Sequence, residues 1–408
     1  MKDSGIEWIG EIPEGWGLTK VKRIFDIGRG RVISQQELTS VGYPVYSSQT
    51  KNNGCLGYIS TYDFDKSQLT WTTDGVNAGT VFLREGKHNC TNVCGTLAPK
   101  NDTNDLRYLK YALEYIAFYH KRADINGFKI MNNEMAEIEL LLPPLFEQQN
   151  IANYLDFKCS QTQSILEQSL FSIEEYKKLK QAVITQAVTK GVRGEREMKD
   201  SGVEWIGEIP KEWVCEKIKY ATSISRGLFN HRPRNDERYY NGKYPFIQTG
   251  DVANATKYIV SYSQTLNELG KSVSKDFPKG TLTMTIAANV GDVAILNFDA
   301  YFPDSVVGFV PNKNIRTLYL FYVFSAMKDE FIRTAIKSTQ LNLNIDRVKE
   351  TFIPVTLNVN EQCEIENYLE SKCAEIDGLI AKKEQLVKEL ESYKKSLIYE
   401  VVTGKREV

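Results

Sequence analysis

A near-identical pair of segments within one chain constrains the fold more than any other feature of this sequence. Residues 1–13 read MKDSGIEWIGEIP and residues 198–210 read MKDSGVEWIGEIP, so the two segments differ at a single position. The same register continues as far as Arg29-Gly30, which matches Arg226-Gly227. Repetition at this level predicts two copies of one structural unit.

A second pair of similar segments lies later in each half. Residues 153–159 read NYLDFKC and residues 367–373 read NYLESKC, within a gapless match of residues 146–189 to residues 360–403. The stretches between head and tail differ strongly, so each half is predicted to have a shared head, a variable middle and a shared tail. The predicted boundaries are 1–145 for a first domain, 146–192 for a first helix, 198–358 for a second domain and 359–404 for a second helix.

The variable middles have the pattern of mixed domains that contain both strands and helices. Short β-branched and aromatic runs, such as residues 80–83 and 293–296, are separated by Gly, Asn and Asp turn signals. A helical stretch follows in each half, near residues 105–122 and 315–337. A chain of 408 residues also exceeds one ordinary core. The predicted fold class is therefore α+β, with two similar mixed domains and two long helices.

The two tails have the apolar periodicity of long amphipathic helices. Pro143-Pro144 and Pro354 end the preceding segments, so each helix is expected to begin shortly afterwards. Roughly 40–45 residues make a rod of about 60–65 Å, longer than most helices buried in a domain core. We therefore predict a two-helix coiled coil; the alternative is that each helix is buried in its own half. The predicted seam consists of Ile151, Leu155, Thr162, Ile165, Ile173, Tyr176, Val183 and Ala187, and of Ile365, Leu369, Ile376, Leu379, Leu386, Leu390, Leu397 and Val401.

The sequence has no recognisable catalytic signature. It lacks a phosphate-binding GxxxxGK[ST] loop, a GxGxxG turn and an Asn/Asp-Pro-Pro-Tyr run, and it has three histidines. His88, Cys90 and Cys94 could begin a zinc site, but the second half has neither His nor Cys in the corresponding residues 300–307. We therefore predict a binding protein rather than an enzyme, with no catalytic residues and no metal.

The remaining bulk properties favour a cytoplasmic protein. No apolar run approaches the roughly 18 residues that a membrane span requires, and the polar start is unlike a signal peptide. The seven cysteines form no CxxC pair, which fits a reducing compartment better than a disulfide framework.

The charge distribution points to an anionic partner. Residues 20–31 contain five cations and one acid, and residues 217–234 contain five cations and no acid, although the net charge of the whole chain is −1. Two basic segments at equivalent places predict contacts with DNA phosphates, whereas the alternative is a solvated basic loop in each half. The candidate cations are Lys20, Lys22, Arg29 and Arg31 in the first half, and Arg226, Arg232 and Arg234 in the second.

Polar side chains near the basic segments could read base edges. Arg and Lys suit guanine, and Asn and Gln suit adenine, although each of these residues is also a common turn former. They lie where the two halves differ most, which favours two different half-sites. The candidates are Ser48, Gln49, Thr50, Lys51 and Lys129 in the first half, and Asn230, His231, Gln248, Thr249, Gln340 and Asn342 in the second.

The whole chain resembles the specificity subunits of type I restriction–modification enzymes. The resemblance rests on the heads GEIPEGW at residues 10–16 and GEIPKEW at residues 207–213. It rests also on LPPLFEQ at residues 142–148 and QAVITQAVTKG at residues 181–191. The second half departs from the pattern, because it lacks the double proline before its tail.

The resemblance implies a DNA reader without chemistry of its own. In that family each variable middle is a target recognition domain for half of a split site in double-stranded DNA. The two helices form an antiparallel coiled coil, with pseudo-twofold repetition, that spaces the domains and lets two methyltransferase subunits dock. Those partners use S-adenosylmethionine, while separate restriction and translocation subunits use ATP and Mg²⁺; no membrane is involved.

Three other interpretations remain open at this stage. The chain could serve a related system in which cleavage and methylation share one partner. It could be a coiled-coil adaptor that binds proteins only, without any DNA sequence preference. It could also be an enzyme with unusual motifs.

Overall fold

The structure, a computed structural model, describes residues 1–6, 9–125, 127–334, 336–337 and 341–408. The chain divides into two compact units, one formed by residues 1–170 and 384–408 and the other by residues 171–383. Each unit contains one mixed α/β domain, here called the first and the second domain, together with parts of both long helices. Among the described residues, no helix combines the length and the apolar character that crossing a membrane requires.

The first long helix is Leu145–Lys190 and the second is Val359–Val402. Asn358 caps the second helix by accepting hydrogen bonds from the backbone N–H groups of residues 360 and 361. Both helices are followed by a glycine in the left-handed region, Gly191 with φ +74° and Gly404 with φ +71°. This conformation favours glycine and ends a helix.

The two long helices pair in opposite directions. Within residues 171–383, Lys180 of the first helix contacts Asp377 of the second at 2.7 Å. Arg193, just after the end of the first helix, contacts Glu364, which precedes Asp377 on the second helix, at 2.7 Å. In the other unit, Lys394 reaches Gln163 at 3.5 Å. The predicted antiparallel coiled coil is thereby confirmed.

The predicted seam is wrong at two positions. Ile165 is 44% exposed and Leu379 is 37% exposed, whereas the neighbouring Leu166 is 7% exposed. Residue 380 is also less exposed than residue 379. The buried positions follow steps of four and three that include Cys159 and Cys373, which the apolar pattern had passed over.

The first domain is built around a four-stranded antiparallel sheet that is covered by one helix. Asp105 caps this helix, Leu106–His120, through the N–H groups of residues 107 and 108. Trp71 and Leu97 of the sheet and Leu113 of the helix are buried in one core. The sheet order is Phe25–Arg29, Cys94–Pro99, Gln68–Thr72 and Val81–Arg84.

Smaller sheets complete the first domain. Asn89–Cys90, Tyr43–Tyr46 and Cys55–Ile59 form one, and Arg122–Asp124, Gly127–Lys129 and Asp74–Gly75 form another. Two ribbons are Lys2–Asp3 with Glu11–Ile12, and Gly17–Lys20 with Glu139–Leu142. The short helices are Val21–Ile24, Gln35–Glu37 and Asn132–Glu137, and residues Lys51–Gly54 form a tight turn.

The second domain repeats this plan with a five-stranded sheet. Its order is Thr222–Arg226, Val306–Pro311, Leu282–Thr285, Val293–Leu296 and Tyr258–Ile259. A four-stranded sheet has the order Gln264–Leu266, Tyr240–Phe246, Ala300–Tyr301 and Asp276–Phe277. The ribbons are Met198–Asp200 with Glu208–Pro210, Val214–Lys217 with Phe352–Val355, and Ile336–Lys337 with Leu341–Asn342. The helices are Ile218–Ala221, Glu237–Tyr239, Thr249–Ala253, Glu268–Ser272, Thr317–Ala326, Lys328–Thr334 and Ile345–Glu350.

The repeated sequence motifs form the same junction in both units. Trp16 donates from Nε1 to Glu147 at 2.8 Å, and Trp213 donates from Nε1 to Glu361 at 3.1 Å. Gln148 accepts a hydrogen bond from the backbone of residue 105, and the matching Gln362 accepts one from the backbone of residue 316. The motifs therefore fix each domain to the start of a long helix, and the predicted fold of two similar mixed domains with two long helices is confirmed.

Candidate nucleic-acid interface

The Arg-Gly pairs end the first strand of each main sheet at a close backbone crossing. A Cβ atom on Gly30 would lie 2.1 Å from the carbonyl oxygen of Cys90, and one on Gly227 would lie 2.2 Å from that of Pro303. Only glycine fits such an approach. The crossing places the preceding arginine of each domain beside an equivalent turn, residues 90–94 or 302–306.

Arg29 and Arg31 flank this crossing in the first domain, and both are exposed. Arg29 donates from Nη2 to the sulfur of Met131 at 3.4 Å. Arg31 pairs with Asp63 at 3.0 Å, and Glu37 lies 3.7 Å away. Arg31 therefore has carboxylate partners, whereas the guanidinium of Arg29 has none among the described residues.

Loop 47–54 lies next to the same turn. Its first residue, Ser47, accepts a hydrogen bond from the hydroxyl of Thr91 at 3.1 Å. Gln49 donates from Nε2 to the carbonyl oxygen of Cys55, so its amide is partly occupied within the loop. The predicted residues Ser48, Gln49, Thr50 and Lys51 all lie in this loop, with Thr50 and Lys51 exposed.

Lys129 lies in another part of the first domain, on the strand that pairs with Asp74–Gly75. Its ammonium group contacts Asp124 at 3.1 Å and Asp74 at 3.5 Å. Hydrogen bonding to these acids raises the pKa of Lys129. The loop that contains Asp74 reaches the 90–94 turn, because Thr73 donates from its backbone N–H to the carbonyl oxygen of Val93 at 3.2 Å.

The predicted lysines at the head of the first domain are held by one acid. Lys20 contacts Glu137 at 2.8 Å, and Lys22 contacts the other oxygen of the same carboxylate. The hydrogen bonds from these two lysines lower the pKa of Glu137 to about 2. Two of the cations that the sequence assigned to phosphate contacts are therefore already paired within the protein.

The second domain repeats this arrangement around Glu350. Lys217 contacts one oxygen of its carboxylate at 2.6 Å, and Lys219 contacts the other. Hydrogen bonds from Lys217 and Lys219 lower the pKa of Glu350 to about 2. The recurrence marks these clamps as a part of the shared scaffold, which joins the head of each domain to the segment that precedes the long helix.

The arginines of the second domain gather around Asp304. Arg226 donates to its backbone carbonyl oxygen at 2.6 Å, and Arg234 contacts its carboxylate. Arg232 lies 3.7 Å from the same carboxylate and also donates to the carbonyl oxygen of Phe229 at 2.6 Å. The structure therefore brings three predicted residues together, on an acid that sequence analysis did not single out.

The other predicted residues of the second domain lie around this cluster. Asn230 is exposed, and His231 hydrogen-bonds Asp236 at 3.0 Å while its ring stacks on Tyr239 at 4.0 Å between centroids. Gln248 donates to the side-chain oxygen of Gln264 at 2.9 Å. Thr249 begins the helix that follows. A cavity of about 220 Å³ is lined by Phe229, Arg234, Asn235, Tyr240, Phe246, Gln248, Gln264 and Pro303.

Two predicted residues of the second domain lie at the gap between residues 337 and 341 in the described chain. Asn342 ends the short strand Leu341–Asn342. Gln340 lies outside the described residues.

The acids that hold the candidate residues in place were not predictable from the sequence. Glu137, Glu350 and Asp304 are remote in sequence from the cations they contact, so counting charges along a window could not find them. Among the residues that the structure describes, no group of His, Cys, Asp or Glu has the arrangement of a metal site.

The two domains share one fold but carry different cations and amides beside equivalent turns. These features define a class: a duplicated binding protein with two related but different surfaces. A family model described as "Type I restriction modification DNA specificity domain" matches residues 13–175 and 224–389. The chain belongs to this family.

Individual relatives agree with this assignment. A putative type I specificity subunit of Mycoplasma pneumoniae is 28% identical over 343 residues, which cover 82% of this chain and 84% of that protein. A putative type I restriction enzyme specificity subunit of Methanocaldococcus jannaschii is 25% identical and covers 97% of this chain and 95% of its own length.

The fold matches a solved chain from a study of the assembly and conformational transition of a type I restriction–modification system. The TM-score is 0.74 at 14% identity, over 97% of this chain and all of that chain. The HsdS subunit of Thermoanaerobacter tengcongensis has a TM-score of 0.51 at 14% identity, over 97% of this chain and 98% of its own.

Proposed function

We propose that this chain is the DNA-recognition subunit of a type I restriction–modification complex, and that each domain reads one half of a split DNA site. The observation that carries the proposal is that the two domains share a fold but have different side chains at equivalent strand ends and turns. Equivalent strands, Tyr43–Tyr46 and Tyr240–Phe246, lead into Ser47 in the first domain and into Ile247-Gln248 in the second. The matching turns contain Asn92 in one and Asp304 in the other. Two scaffolds with different donors and acceptors would read two different base sequences.

Binding would exchange internal ion pairs for contacts with phosphates. The Arg31–Asp63 and Arg234–Asp304 pairs lie at exposed edges, where pairing contributes little to stability. A phosphate can therefore replace the carboxylate at small cost, while released counterions favour association. The loops next to these cations would then lie against the base edges.

The two long helices would act as a spacer between the reading domains. Engagement of one domain makes binding of the other intramolecular, so two modest affinities combine only at sites with the right separation. The helices would also carry two methyltransferase subunits in equivalent positions, since each unit contains the same junction between head and helix.

In this proposal the chain itself performs no chemistry. The methyltransferase partners would bind S-adenosylmethionine and flip the target adenine from the stack. Restriction and translocation subunits would use ATP and Mg²⁺. A variant of the proposal, in which one partner combines cleavage and methylation, places the same demands on this chain.

The test is long-read methylome sequencing of a host that expresses this chain with its methyltransferase, compared with a host that lacks the chain. We expect a split, asymmetric methyladenine motif that depends on the chain. If the methyltransferase is active and bound but no motif appears, the domains do not read DNA. The chain would then be an adaptor that binds proteins only.

A further inference from the structure

Arg84 is a buried cation in the first domain without a carboxylate partner. It ends the strand Val81–Arg84 and is 1% exposed, and no acid among the described residues forms an ion pair with it. Its guanidinium lies 3.6 Å from the ring centroid of Tyr46 and 4.2 Å from that of Phe82. Burying a charge in this way has a free-energy cost that an apolar side chain would not have.

The second domain shows that the shared scaffold does not need this charge. Ladder pairing places Gln68 opposite Arg84 in the first domain, and the equivalent strand of the second domain, Val293–Leu296, ends on Leu296. Leu296 is also 1% exposed and lies in an apolar core with Ile247. One copy of the domain therefore folds with an apolar side chain at this position.

The contacts of Arg84 lead to loop 47–54. Its Nη1 donates to the carbonyl oxygen of Asn53 at 2.7 Å, while Nε donates to the hydroxyl of Thr70 on the neighbouring strand at 3.0 Å. A Cβ atom added to Gly54 would lie 2.7 Å from Nη2. Within the described part of the chain, Nη2 has no hydrogen-bond acceptor. The guanidinium thus connects the main sheet to the underside of the loop.

The backbone of the loop needs such support. Asn52, Asn53 and Gly54 follow one another with φ values of 50°, 52° and 78°, in the left-handed region that non-glycine residues seldom adopt. Residues in this region persist when their surroundings hold them. The bond from Arg84 ends on the second of these three residues, two positions after the exposed Lys51.

We propose that Arg84 is a positioning residue for DNA reading by the first domain: it fixes the backbone of loop 47–54, so that Gln49 and Lys51 face the first half-site in one orientation. This inference rests on the proposed function. Arg84 itself does not reach the DNA, because its guanidinium is enclosed.

The test uses Arg84→Leu, the residue that the second domain has at this position, and Arg84→Met as a second apolar variant. The full chain is assembled with its methyltransferase partner. Initial methylation rates are then measured on duplexes with the intact site and with single base changes in either half-site. Thermal unfolding of the same preparations is recorded, and Leu296→Met is the matched control in the second domain.

We expect both Arg84 variants to lose about tenfold in discrimination at one half-site, comparable with the value of a single base pair in a specific site. Discrimination at the other half-site and the unfolding temperature should stay close to the wild-type values. Gln49→Ala should affect the same half-site as Arg84→Leu, because an amide can read a base edge, and Leu296→Met should affect neither.

Three results would overturn the inference. Unchanged discrimination at both half-sites would leave Arg84 with a packing role only. Equal loss at both half-sites, or a loss that follows a lower unfolding temperature, would indicate general destabilisation. A wild-type complex with no half-site preference at all would refute the proposed function, and the inference with it; this outcome differs from the first two because it appears without any substitution.

Discussion

Lys51 and Lys20 are both cations of the first domain, but they differ in their surroundings. Lys51 is exposed in loop 47–54 and forms no ion pair with any residue that the structure describes, whereas Lys20 contacts Glu137 at 2.8 Å. We therefore expect Lys51→Ala to weaken DNA binding by the assembled complex and to reduce the salt slope by about one. The measurement is the logarithm of the binding constant against the logarithm of salt concentration.

Lys20→Ala is the control for this prediction. Because Lys20 is already paired, its removal should change the slope by less than the removal of Lys51. An equal loss of slope in the two variants would show that the Glu137 clamp opens when DNA binds.

The Glu137 clamp also makes a prediction for the dependence of stability on pH. The pKa of Glu137 lies near 2 in the folded chain, below its ordinary value of 4.5. A lowered folded-state pKa means that the stabilisation is fully present above pH 4.5 and is lost as the pH falls towards 2. At pH 6, Glu137→Gln should therefore unfold at a lower temperature than the wild type. This difference in unfolding temperature should become smaller as the pH is lowered to 3. If the difference in unfolding temperature stays constant from pH 6 to pH 3, the ion pairs of Glu137 with Lys20 and Lys22 are not its cause.

At the residue scale, the cations were predictable from the sequence but their partners were not. Arg226 and Asp304 are brought together by the crossing at Gly227, which the sequence records only as an Arg-Gly pair. The base readers remain predictions for the same reason. Whether Gln49 points to DNA depends on a turn whose backbone is set by Arg84, on a strand remote in sequence.

The seam of the first long helix allows a prediction at the scale of one element. Leu166 is 7% exposed and its neighbour Ile165 is 44% exposed. Leu166→Ala should reduce the free energy of unfolding by about 2–5 kcal/mol, because it leaves a cavity. Ile165→Ala should cost less than about 1 kcal/mol. Urea unfolding of both variants measures the difference, and a larger effect at Ile165 would restore the seam that the sequence predicted.

The long helices themselves were predictable because their length and apolar periodicity are local properties. The exact seam was not, since Cys159 and Cys373 take core positions that the predicted seam leaves out. The repeated Trp16 and Glu147 were recognised as a motif, but their hydrogen bond becomes visible only when head and helix are folded together.

At the scale of the whole molecule, the proposed spacer role can be tested by changing the length of both helices together. Seven residues, two turns of coiled coil, would be inserted between residues 170 and 171 and between residues 383 and 384, where the two units divide. The added rise of about 10 Å should change the number of unspecified bases by about three and leave both half-sites unchanged. Methylome sequencing measures both. An altered half-site would contradict the spacer role.

The duplication made the whole-molecule architecture the most predictable part of this protein. Two nearly identical heads and two matching tails implied two similar domains and two helices, and the structure has both. The middles diverge, so the content of their sheets, four strands in one main sheet and five in the other, could not be transferred from one copy to the other.

The end of the second long helix has a consequence for how the chain is synthesised. Leu397 and Val401 are buried in the same core as Trp16 and Leu155, and Tyr399 packs its ring 5.2 Å from that of Tyr115. A ribosome releases these residues long after the first 170 have emerged. The core of the unit formed by residues 1–170 and 384–408 can therefore be completed only after residues 384–408 have been translated. A nascent or truncated chain that stops before residue 397 has every strand of the first domain but lacks the piece that closes it.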